Sequence, residues 1–230
     1  MRSLKHVLCY RELMNMGKHT LPLMSIVSAL LLFASHAAAH ANCLDEVRTV
    51  LRNDLDLSKW PPYRSASVIR SVTGVESGRL DSIIETQNRT IATYPGGFSA
   101  LAIDGKVWTG PSPQGPWSAA PSGNILTDDA ARARLQAQQV ANLSEAECLG
   151  EADLEGKRVV VYRYLTKTDP DPSIGGHWFG GRSKVFLDPA TRRVLRWEQS
   201  DAIGSFSMGD RTSTQIQSFM YDPTIKVSPP

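Results

Sequence analysis

From Asn42 onward, apolar positions recur first at helical and then at strand spacing. Leu44, Val47, Leu51 and Leu55 fall on one face of a 3.6-residue period, with Asp45, Glu46, Arg48 and Arg52 on the other. The spacing predicts a helix over Cys43 to Leu57, stopped by Trp60-Pro61-Pro62, because proline cannot continue the hydrogen-bond ladder. Strand character follows in Tyr63 to Val72, in Leu80 to Thr93 as one run, and in Phe98 to Ile103 facing Val107-Trp108 across Asp104-Gly105-Lys106. The stretch Gly110 to Pro121 reads as a loop anchored by Trp117.

A second helix is predicted over Thr127 to Leu143. Thr127 suits the N-cap, and Asp128 and Asp129 complement the positive end of the dipole. Its apolar face is thin, carried by Ala131, Leu135 and Leu143, as in a helix laid over something rather than buried. Arg158 to Thr166 is a strong strand, and Lys167 to Gly181 reads as a loop. Two hairpins follow: Lys184–Leu187 with Val194–Gln199, and Ile203–Met208 with Arg211–Tyr221. The tail from Val227 to Pro230 reads as loose. Two helices and eight or more antiparallel strands make an α+β layout.

The strand Arg158–Leu165 is apolar on both faces: Val159 and Val161 on one, Val160, Tyr162 and Tyr164 on the other. Such a strand needs cover on both sides. Two helices cover one face in part, so loops, a partner or an apolar ligand fill the rest.

The first 41 residues follow a different pattern. Lys18 and His19 precede the thirteen-residue apolar run Leu21–Phe33, and small residues end at Ala39-His40-Ala41. This predicts a cleavable secretory signal over residues 1–41, with Met1, Met14 or Met16 as the start and a single domain over 42–230. The run is short for a bilayer span, the alternative being a retained anchor. Cys43 follows Asn42, a poor lipoprotein site, so the expected location is the periplasm, in soluble form. The whole chain carries 25 basic and 23 acidic residues; removing Arg2, Lys5, Arg11, Lys18 and Glu12 leaves 21 and 22. That balance excludes a basic field for nucleic acid.

Cleavage also leaves His177 as the remaining histidine, and Cys43 and Cys148 as the remaining cysteines. An even pair in an oxidising compartment predicts a disulfide, against two free thiols or a metal site. Closing a loop of about 105 residues contributes on the order of 4–5 kcal/mol in the chain-entropy model.

No nucleophile elbow is present, and a Ser–His–Asp triad has only His177 to draw on, which reads as a loop histidine on Trp178. Asp169 and Asp171 are each followed by proline and read as a turn rather than a calcium loop. Asn88-Arg89-Thr90 and Asn142-Leu143-Ser144 match the glycosylation tripeptide, which has no meaning in a bacterial host. No catalytic residue, metal site or cofactor is assigned.

Gly156–Tyr164, Lys184–Glu198 and Phe219–Pro230 follow one another as a strand with Tyr162, a strand ending in Asp-Pro-Ala-Thr, a returning strand, and a last strand running into Tyr-Asp and Pro-Pro. This succession resembles the LolA-like superfamily of bacterial envelope proteins, which includes lipoprotein carriers and related lipid-binding proteins. The resemblance implies a strongly curved antiparallel sheet, an unclosed half-barrel, with helices over its concave face and a hydrophobic space between. It makes Leu135, Val161, Tyr162, Tyr164, Phe186 and Trp197 candidates for the cavity wall. Where the family has Gly-Leu-Pro after the Asp-x-x-Thr turn, this chain has Arg192-Arg193-Val194-Leu195, which weighs against lipoprotein transfer itself. The expected function is periplasmic binding of a lipid, lipoprotein or other apolar ligand. The alternatives are an envelope protein-interaction or sensor module of the same fold and, behind it, a carboxylate-based hydrolase.

Overall fold

The apolar stripe of the first segment winds into α1, residues 42–53, and buries Cys43, Val47, Val50 and Leu51, with Leu55 buried just beyond its end. The computed structural model describes residues 42–121, 129–205 and 212–230. The expected signal segment, Thr127 with Asp128, and much of the Ile203–Arg211 turn lie outside them.

Eleven strands follow: β1 (Tyr63–Arg70), β2 (Glu76–Thr86), β3 (Arg89–Thr93), β4 (Ser99–Ile103), β5 (Lys106–Gly110), β6 (Ser118–Ala120), then, after helix α2 (Asp129–Ala141), β7 (Ser144–Leu154), β8 (Lys157–Lys167), β9 (Phe179–Leu187), β10 (Val194–Gly204) and β11 (Thr214–Tyr221). They form one antiparallel sheet in the order β6-β5-β4-β3-β2-β1-β11-β10-β9-β8-β7. Its edges, β6 and β7, do not meet, so the sheet is open and curved, as the α+β half-barrel expectation has it. Two meanders therefore join at the centre, where β1 and β11 pair from Tyr63↔Tyr221 to Arg70↔Thr214.

Local chemistry sets the turns. Between β4 and β5, Asp104 (φ 49°) and Gly105 (φ 86°) both take the left-handed conformation that a two-residue hairpin needs. Glu155 (φ 55°) and Gly156 (φ 81°) do the same between β7 and β8.

Cross-strand register divides the side chains between two faces. On the inner face, Tyr162, Tyr164, Val185, Leu187 and Val194 pack with α1 and with Val140 of α2. Trp60 closes this core edge-on to Tyr63 and Phe219, ring centroids 5.4 and 5.2 Å away. Burial pushes the Tyr63 phenol up to about 12. The outer face holds two smaller cores. Val159, Val161 and Phe186 make one. Leu101, Ile103, Ile83, Ile91, Trp108 and Trp117 make the other, capped by Val227.

Several sequence expectations change. The run Leu80–Thr93 is two strands, β2 and β3, folded back at Gln87-Asn88. The loop after Gly110 contains β6, and Trp117 is its anchor in the outer core. The loop after β8 is shorter than expected, because β9 begins at Phe179. Strand β7 lacks any apolar alternation to announce it. It is an edge strand, and its acidic side chains pair instead: Glu145 with Arg182, Glu147 with Arg163 and Glu151 with Arg158. The tail is not loose. Ile225 and Val227 are buried, and Glu85 accepts the Val227 N–H at 2.9 Å and the Lys226 ammonium at 3.1 Å.

The disulfide forms between Cys43 and Cys148, Cα atoms 5.7 Å apart. Cys148 lies within β7, so the bond ties the start of α1 to the sheet edge. The other end of α1 is held by Arg192, which donates to Asp54 at 2.7 Å and lies over the Tyr162 ring, 5.7 Å from its centroid. The Tyr162 hydroxyl donates in turn to Glu46 at 2.5 Å.

Candidate functional site: a cavity between helices and sheet

Helix α2 crosses the inner face on polar contacts. Arg132 donates to Asn88 at 2.7 Å near one end. At the other, Asn142 donates to the Lys167 carbonyl at 3.2 Å and to Asp169 at 3.0 Å, and the Thr166 hydroxyl donates to the Gln139 carbonyl. Between them the Gln136 amide donates to the Leu51 carbonyl at 2.9 Å, joining α2 to α1. A helix so fixed bridges the sheet without filling the space beneath it.

That space is a cavity of about 290 Å³. Its roof is Leu51 and Leu55 of the α1 segment with Gln136 and Gln139 of α2. Its floor comes from Tyr164 and Thr166 of β8, Ser183 of β9, Trp197 and Gln199 of β10, Gln215 of β11 and Ile69 of β1. Phe179, Gly180, Gly181 and Ala202 line the end where β9 starts. Glycine is required at position 180: a Cβ there would lie 2.4 Å from the Thr166 carbonyl oxygen.

The wall is apolar for the most part, with amides and hydroxyls set into it. Trp197 donates its indole N–H to Ser183 at 3.1 Å. The fully buried Tyr164 hydroxyl has Ser183 beside it but no hydrogen bond of good geometry among the described residues, and burial pushes its ionisation far up.

Of the six residues put forward from sequence, Tyr164 and Trp197 line this cavity. Tyr162 is on the same face but packs into the core under α1. Leu135 is buried on α2, while Gln136 and Gln139 beside it do the lining. Val161 and Phe186 pair with each other on the outer face, away from the cavity. The glutamines were missed because polar residues read as a solvent face. A signal was present nonetheless: Arg132, Gln136 and Gln139 lie four and three residues apart, on one side of a helix.

The other motifs have structural employment. His177 Nδ1 is 3.1 Å from the Ser205 hydroxyl, which also accepts the Trp178 N–H at 3.0 Å, fastening this loop to the end of β10. Asp171 is buried and accepts from Gln138 at 3.3 Å, so the Asp-Pro-Asp-Pro turn is where α2 docks. Among the described residues no group of three metal-ligating side chains assembles, and no helix is long and apolar enough to cross a membrane.

No protein-family model matches the chain. No curated protein matches it in sequence. Solved structures similar to it include lipoprotein LppX of Mycobacterium tuberculosis, 12% identical, TM-score 0.48, with 82% of this chain and 99% of that one covered. LprF of Mycobacterium bovis is 11% identical, TM-score 0.48, with 81% and 97% covered. A LolA superfamily protein from Nitrosomonas europaea is 11% identical, TM-score 0.30, with 75% and 90% covered.

Proposed function

We propose that this chain is a non-catalytic binding protein, exported and soluble in the periplasm, whose inner cavity takes the apolar part of a lipid or lipoprotein. The observation that carries the reading is the cavity under α2: it is roofed by a helix that buries Ala131, Leu135 and Val140 and is tied down by polar contacts, and its floor sets Ile69, Tyr164 and Trp197 among hydroxyl and amide side chains. Its 290 Å³ is at the small end of ligand pockets, enough for one short or folded chain rather than several. Affinity comes from apolar area removed from water, at roughly 25 cal/mol per Å². Lifting α2 exchanges its side-chain hydrogen bonds for bonds to water and exposes only Ala131, Leu135 and Val140 of its buried side chains, which leaves a route by which a ligand enters.

A second reading, an envelope protein-interaction module, is favoured by one feature of the outer face. There a groove runs between Arg64, Arg79, Ile83 and Met220, and Met220 is 66% exposed.

Native mass spectrometry on protein expressed into the periplasm tests the first reading. A stoichiometric lipid-sized adduct is expected, lost in Gln139→Trp, which fills the cavity from α2 while the melting temperature is retained. A clean unliganded mass that takes up no added lipid would move the function to the outer groove.

A further inference from the structure

The cavity wall has a composition that its surroundings do not share. Seventeen residues line it and none carries a charge, although 21% of the chain is Asp, Glu, Lys or Arg. The strands themselves sort the charges. Ser183 lines the cavity, while its neighbours Arg182 and Lys184 alternate to the outer face, where Arg182 pairs with Asp201 and Glu145. Trp197 and Gln199 line it, while Arg196 and Glu198 pair with each other outside.

What remains inside is amide and hydroxyl chemistry on opposing walls. The half-buried Gln139 on the roof makes no side-chain hydrogen bond among the described residues, Gln199 is an exposed amide at the edge of the floor, and the buried Tyr164 hydroxyl lacks a partner of good geometry. Gln136 spends one N–H on the Leu51 carbonyl and keeps the other together with its own carbonyl. Amides and hydroxyls both donate and accept, which suits hydroxyl, ester and amide groups. A carboxylate or phosphate placed here would find no cation, and an unpaired charge in an apolar wall is strongly disfavoured.

Resting on the reading of the cavity as a ligand site, we infer that its ligand is an uncharged amphiphile with hydroxyl or ester groups next to the chain, of the acylglycerol type, and that the cavity discriminates against fatty acids and phospholipids. The neutral head sits among the glutamines, and the chain lies along Leu51, Leu55, Ile69 and Trp197.

Three probes of one chain length decide this: monomyristoylglycerol, myristate and myristoyl lysophosphatidylglycerol, titrated calorimetrically below their micelle concentrations at pH 8. The glyceride is expected to bind at least tenfold tighter than either anion. Myristate or the lysophospholipid binding as tightly as the glyceride overturns the inference and leaves the cavity reading standing. Uptake of none of the three overturns both. Gln139→Lys supplies the missing cation, and it should raise myristate affinity at least fivefold while lowering that of the glyceride. An unchanged myristate affinity would mean that the acyl ligand does not lie beside Gln139.

Discussion

Arg192 shows how one side chain can oppose its own backbone. It takes φ 59°, a conformation that costs a non-glycine residue about 1–2 kcal/mol. Its guanidinium offsets this by donating to Asp54, whose carboxylate is largely shielded, and by covering Tyr162. Arg192→Ala keeps the backbone cost and loses the contacts; a loss of about 1–2 kcal/mol in urea unfolding is expected, after allowance for the exposed part of the arginine. Arg192→Gly should lose about 1 kcal/mol less than the alanine variant. Glu85 is one of the carboxyls that the fold holds ionised, and the one that fastens the tail. The Val227 N–H, and then Lys226, hold its carboxyl below the ordinary value of 4.5. A depressed carboxyl stabilises the fold above that value and loses its contribution as the pH falls through the lower, folded-state value. The tail should therefore become a substrate for carboxypeptidase-type trimming in acid, and in Glu85→Gln its trimming rate should vary less over the same pH window. At this scale the sequence was informative for aromatic residues and poor for polar ones. Tyr164 and Trp197 stand out as large side chains on apolar strands. Gln139 is marked only by its helical spacing from Arg132 and Gln136, and Gln199 by nothing, because along a strand an amide facing a cavity reads like one facing water.

Helix α1 and the tail carry the element-scale predictions. The helix is pinned at one end by Cys43–Cys148 and at the other by Asp54–Arg192. Replacing both cysteines with serine releases a loop of 105 residues in the unfolded chain and should cost about 4–5 kcal/mol by chain entropy, read as a lowered urea midpoint. Removing residues 224–230 strips Val227 from Leu101, Ile103 and Trp117 and should cost about 2–4 kcal/mol, the range for emptying a buried aliphatic site. Elements with strong local signals were legible: α1 by its helical period, β8 by its continuous apolar run, and the β4–β5 hairpin by its Asp-Gly turn. Strand β7 was not, because an edge strand needs little apolar surface and its pairing rests on arginines brought from elsewhere in the sheet. The tail was misread for a related reason. Proline and serine suggest a loose end, and two buried aliphatics in a short segment give no periodicity to weigh against them.

At the scale of the molecule, the architecture depends on β1 finding β11 across the length of the domain, and this long-range pairing decides which face each residue takes. The open α+β sheet was within reach of the sequence, through helix-strands-helix-strands order and family resemblance. Alternation along Arg158–Leu165 already separates Val161 from Tyr164; the register, which was not legible, decides that Val161 and Phe186 share the outward face while Tyr164 and Trp197 share the inward one. The central claim, that a ligand occupies the inner cavity, has a direct measurement: side-chain chemical shifts during titration with monomyristoylglycerol. The account predicts shifts at the Gln136, Gln139 and Gln199 amides and the Trp197 indole, with the Val161 methyls and the Phe186 ring unmoved. Shifts confined to the outer face, around Met220 and Ile83 or Val161 and Phe186, would contradict it.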